Sequence, residues 1–236
     1  MLGTRCLFIG LTTDACKLRV CNELRAKGEA GLALANLLAT MQPTWLPARD
    51  HIVSRLKREA EISPEKSQAA LEAAAKELAR IIQDAPAVFY PYTTLAALIE
   101  STPSIAQVLP PNISNSPSVL YRMALDRYPQ RQSVRLALAN TLEAQGQLRE
   151  AYDLVNEDGM QWWRTALVTD AERIEMLRFL IPRAIGLGLC KEAKSMAYSL
   201  GIFTPDSTLA VAVVSQIEIA SAEEAGCGIK ESLPEQ

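Results

Sequence analysis

Histidine is nearly missing from this sequence: His51 is the only one in 236 residues. Five cysteines are present (Cys6, Cys16, Cys21, Cys190 and Cys227), and no two are spaced as C-x-x-C. Zinc sites built from cysteine and histidine need clustered ligands of both kinds, so this scarcity argues against a metal centre. The thiols read instead as free cysteines, buried or idle in a reducing compartment. A basic surplus is also missing, because 24 Lys and Arg face 27 Asp and Glu for a net charge of −3. Nucleic-acid binders and proteins held to anionic lipid carry the opposite balance. Long apolar runs are absent too. Cys6 to Leu11 is short for a signal-peptide core, which takes roughly seven to fifteen residues, and far short of a membrane span. It reads as a short buried segment or a frayed start, with the trimmed end of a membrane span as the alternative.

Nucleotide and nucleophile signatures are missing in the same way. No Walker-type loop, G-x-G-x-x-G or G-x-S-x-G occurs. The G-x-G of Gly186 to Gly188 lies between helical stretches with no strand before it, so it is no phosphate loop. His51 as a general base would need a nucleophile or carboxylate beside it, and only Asp50 adjoins it; the simpler reading is a histidine on a helix surface. Glu59, Glu61, Glu65, Glu72, Glu223 and Glu224 read as solvated helix faces. Nothing here points to a catalytic residue, a cofactor or a metal.

What is present is helix. Period-two alternation is found nowhere over a strand length, while 3.6-residue periodicity recurs. Ser63-Pro64 opens the clearest case, with Ser63 as N-cap and Pro64 in the first turn, and Leu71, Ala74, Ala75, Leu78, Ile81 and Ile82 on one face up to Pro86. Ser116-Pro117 opens another. Thr169 with Glu172 forms a capping box, and Thr204-Pro205 opens a last helix carrying Leu209, Val213, Ile217 and Ala220. Pro182 predicts a kink or break within its helix. The fold class is all-α, with roughly nine to eleven helices in antiparallel pairs. By composition the chain divides into a helical region over 1–101, a loop or boundary over 102–116 rich in proline, helical repeats over 117–225, and a disordered tail over 226–236.

One six-residue pattern occurs twice: "GQLREA" over 146–151 and "GLCKEA" over 188–193. Each places glycine where a helix ends in the left-handed conformation, and alanine one turn into the next helix. Leu138, Ala139 and Leu142 would then meet Ala151, Leu154 and Val155 in a helical hairpin. Gly188 and Ala193 would repeat that turn. The residues Leu138, Ala139, Leu142, Gly146, Ala151 and Val155, preceded by Tyr121, Ala124 and Pro129, resemble the tetratricopeptide-repeat family. The second copy departs from it, since Ala151 and Ala193 lie 42 residues apart in place of the family's 34.

That resemblance implies hairpins stacked into a right-handed superhelix. It implies a non-enzymatic scaffold that binds another protein's peptide or helix in a groove lined by first helices, with Asn140 and Glu143 facing the groove. Leu136 stands where peptide-carboxylate binders carry lysine, which argues against a carboxylate clamp. Trp162 and Trp163, in the insertion "DGMQWWRTALV", read either as partner anchors or as local core, and "VFYPYTT" over 88–94 has the same two readings. An alternative is the soluble C-terminal part of a membrane-bound bacterial polysaccharide polymerase or ligase, on the periplasmic side. The scaffold reading places the chain in the cytoplasm, with a protein partner, no nucleic acid and no membrane insertion.

Overall fold

The computed structural model describes residues 28–42, 45–156 and 169–205, with positions 208, 210 and 211; the folding statements below concern these. Among them the protein is all-α, with no strand. The expectations for Cys6 to Leu11, Trp162, Trp163, the face Leu209, Val213, Ile217 and Ala220, and the tail lie outside the described residues.

Nine α-helices follow in order: α1 (Gly28–Met41), α2 (Leu46–Ile62), α3 (Ser67–Asp84), α4 (Tyr90–Ser101), α5 (Pro117–Arg127), α6 (Gln132–Ala144), α7 (Leu148–Asn156), α8 (Asp170–Gly186) and α9 (Cys190–Phe203). Short 3₁₀ turns cover Pro64–Lys66 and Pro103–Val108. The chain divides into two compact units, one ending at Pro129 and the other beginning at Gln130.

In the first unit each helix packs on the next in sequence. Ala35 and Leu38 of α1 form a buried cluster with Ala48 and Ile52 of α2, and Trp45, at the N-cap of α2, packs against it. Farther along, Leu78 and Ile81 of α3, Leu95 of α4 and Leu120 of α5 are buried. The α3 stripe falls as the periodicity predicts: Ala74, Ala75, Leu78, Ile81 and Ile82 are buried and Leu71 is half-buried. Its start differs. Pro64 opens a 3₁₀ turn, α3 proper begins at Ser67, and Ser63 makes no side-chain cap bond. Ser63 also closes α2, so its backbone is shared between two elements and takes neither N-cap geometry nor a cap bond. The proline-rich 102–116 stretch is not featureless, because its 3₁₀ turn buries Ile105 completely.

In the second unit α6 packs on α7 and α8 on α9, while α8 also touches both α7 and α6. Leu138, Ala139, Leu142, Ala151 and Val155 are buried between α6 and α7, and Ala193, Met196, Ala197 and Leu200 are buried on α9. At Ala139, Ala151 and Ala193 the side chain is a single methyl, which lets neighbouring backbones approach closely. The capping box at α8 is present: the Glu172 N–H donates to Thr169 Oγ1 at 3.3 Å, and the Thr169 N–H donates to Glu172 Oε2 at 3.0 Å. The Thr169 hydroxyl also donates to Glu172 Oε2 at 2.7 Å, and this bond, with the one from the Thr169 N–H, holds the Glu172 carboxyl below its ordinary pKa. The break expected at Pro182 does not occur. α8 runs continuously through it, with Ile181 and Ala184 on either side fully buried, and packing on both flanks offsets the one missing N–H.

One cysteine corrects the free-thiol reading: Cys190, at the start of α9, is disulfide-bonded. The other four lie outside the described residues.

Candidate functional site

The repeated hexapeptide makes the same turn twice. Gly146 has φ +79° and Gly188 φ +73°, both in the left-handed region. The Gly146 N–H donates to the Glu143 carbonyl at 2.8 Å and the Gln147 N–H to the Leu142 carbonyl at 2.9 Å. At the second copy the Gly188 N–H donates to the Ile185 carbonyl at 2.9 Å and the Leu189 N–H to the Ala184 carbonyl at 2.8 Å. This paired 5→2 and 6→1 bonding is the Schellman motif, which satisfies the carbonyls left over at a helix end. Three residues, Gln145–Gln147 and Leu187–Leu189, therefore reverse the chain in each hairpin.

Contacts at the far ends fix the direction of the helices. Arg135, near the start of α6, donates through Nη1 to the Leu154 carbonyl near the end of α7 at 3.1 Å. The Arg173 guanidinium, near the start of α8, lies 4.8 Å from the ring centre of Phe203 at the end of α9. Both hairpins are antiparallel. The first unit carries cross-ties of its own. Arg49 of α2, only 3% exposed, binds Glu77 at 2.6 Å and Asp84 at 2.5 Å on α3. In the α4–α5 pair the Tyr121 hydroxyl donates to Glu100 at 3.0 Å, and the Arg127 guanidinium covers the Tyr92 ring at 4.2 Å.

The candidate groove residues lie on α6. Asn140 is exposed, consistent with a side chain available to a ligand. Glu143 is half-buried and reaches the next hairpin: Arg183 of α8 donates to it through Nε at 3.1 Å and also through Nη2. The same guanidinium lies 3.8 Å from the Phe179 ring centre and donates to the Phe179 carbonyl at 2.9 Å. A ligand meeting Glu143 would have to share it with Arg183. Leu136 is buried, so its position is part of the core. Behind the face, Tyr152 is 2% exposed, and its hydroxyl is pushed up to about 12, first by burial and then by the charges of Glu192 and Asp153.

Sequence spacing could not single out Arg183 or Phe179, because they lie on the far hairpin; only Pro182 drew notice there. Within the aromatic segment 88–94, Tyr92 is core and Phe89 is half-buried. Phe89 stacks on Tyr128 at 5.5 Å, and Tyr92 is buried with its hydroxyl donating to the Pro86 carbonyl at 3.1 Å. Among the described residues no cluster of three His, Cys, Asp or Glu could hold a metal, and no helix is long and apolar enough to cross a membrane.

No protein-family model matches the chain, and no curated protein matches it. Among solved structures it is similar to a crystal structure of MamA protein, at 11% identity and a TM-score of 0.44, over 89% of this chain and 94% of that one. A second crystal structure of MamA gives 11% identity and a TM-score of 0.42, over 90% of this chain and 98% of the other.

Proposed function

We propose that the chain is a non-enzymatic, tetratricopeptide-like scaffold that docks a peptide or helix of another protein on the first-helix face of its second unit. The observation that carries this reading is the contact between α6 and α8, the first helices of two hairpins built on one turn, tied across by Glu143 and Arg183. A face made of two neighbouring first helices is wider than either helix alone, and it is held in place before a ligand arrives. Preorganisation of that kind lowers the ordering cost of binding. Asn140 would supply hydrogen bonds to a bound backbone, and Trp162 and Trp163 would supply apolar anchors.

The test is affinity capture with the full chain, followed by direct titration of the recovered partner. Asn140→Ala should weaken that partner's binding while helicity and thermal midpoint stay unchanged. Trp162→Ala should do the same. Equal affinity for wild type and both variants would reject this face as the docking site.

A further inference from the structure

A row of polar and ionisable groups lies on α2, in the first unit. On α2, His51, Ser54, Arg55 and Arg58 follow the i, i+3, i+4, i+7 spacing that puts them in one row along the helix. A cleft of about 460 Å³ opens between this helix and α1, lined by Leu32 and Asn36 on one side and Arg55, Arg58 and Ser63 on the other. A second hollow of about 300 Å³ continues it along α2, lined by His51, Ser54 and the same two arginines. The first of these volumes falls in the range of small-molecule sites, roughly 300–1,000 Å³.

The charges decide what could sit there. Among the described residues, no carboxylate lies within ion-pair distance of Arg55 or Arg58. Glu59 lines the cleft as well, but its carboxylate is turned toward Lys66 at 4.0 Å. Arg55 is half-buried, and a guanidinium withdrawn from water without a counter-charge is costly. By contrast, Arg49 is matched by Glu77 and Asp84, and Arg183 by Glu143. The hydroxyls of Ser54 and Ser63 and the Asn36 amide add neutral donors around the pair. Two forked cations with such donors fit a ligand that only accepts hydrogen bonds.

We propose that the α1–α2 cleft binds a small, multiply charged oxyanion through Arg55 and Arg58. Phosphate and carboxylate groups present the same forked acceptors, so the probes are pyrophosphate and citrate, titrated separately by calorimetry against the full chain at low ionic strength. Binding of at least one probe is expected, and the tighter of the two identifies the group. Arg58→Ala, at an exposed position, should weaken it roughly tenfold, as for loss of a charge-assisted pair. Arg55→Ala combined with Arg58→Ala should abolish it. Arg178→Ala, the same charge change at an exposed position of α8, should leave it unaltered. Failure of both probes to bind at millimolar concentration overturns the proposal. So does binding that survives Arg58→Ala undiminished, or that falls equally in Arg178→Ala.

Discussion

Gly146 and Gly188 show what a single residue decides. Each sits in a conformation that costs a residue with a Cβ about 1 kcal/mol or more. Space is not the constraint, since a Cβ at either position would meet nothing within 4 Å. Gly146→Ala should therefore lower stability by about 1 kcal/mol through backbone strain alone, measured by urea unfolding. A much larger loss would mean that the added methyl collides with something. Ala151 is the opposite case. It is fully buried and its backbone is ordinary helix, so size and polarity alone matter there. Ala151→Asp places an unpaired charge between α6 and α7 and should cost about 3 kcal/mol or more. An unchanged thermal midpoint would mean that the two helices do not meet at that residue.

At the scale of elements, the two hairpins of the second unit share one design, a tight glycine turn at one end and an arginine contact at the other, and the helix pairs of the first unit carry side-chain ties of their own. The tie between α2 and α3 is the most buried. Burial works against the charge of Arg49, and the hydrogen bonds and charges of Glu77 and Asp84 outweigh it, so its pKa stands above the ordinary value. Removing the arginine would leave Glu77, which is 8% exposed, with only the longer contact to the exposed Arg80 at 3.5 Å. Arg49→Ala should then destabilise the first unit by roughly 3–5 kcal/mol, whereas Arg49→Met with Glu77→Leu should recover most of that loss, as buried pairs replaced by apolar residues generally do. If the double variant is as unstable as the single one, packing of the guanidinium stem and not its charge is what holds the pair. These ties were invisible in the linear pattern because Arg49 and Glu77 are 28 residues apart and Glu143 and Arg183 are 40 apart. The turns were legible because each is local, written in six consecutive letters.

Across the whole molecule, each unit has its own buried residues and its own cross-ties. Destabilisation should therefore stay where it is introduced. In hydrogen exchange on the full chain, Arg49→Ala should speed exchange within residues 28–129, and Ala151→Asp within the described residues after 130. Uniform acceleration along the chain in either variant would show the two units unfolding as one.

The sequence by itself determined the helices, their caps at Thr169 and their turns at Gly146 and Gly188, because those depend on residues within a few positions of one another. It also determined the absence of strands among the described residues. Tertiary structure alone decided that Pro182 leaves its helix unbroken, that Glu143 is engaged by Arg183, and that Tyr92 is core while Phe89 stacks on Tyr128. It likewise made a half-buried wall of Arg55, beside the exposed Arg58, in what reads locally as an ordinary polar helix face. The physical reason is the same in every case. A proline's lost bond, a carboxylate's partner and an arginine's solvation all depend on which distant helix packs alongside, and no short window of sequence contains that helix.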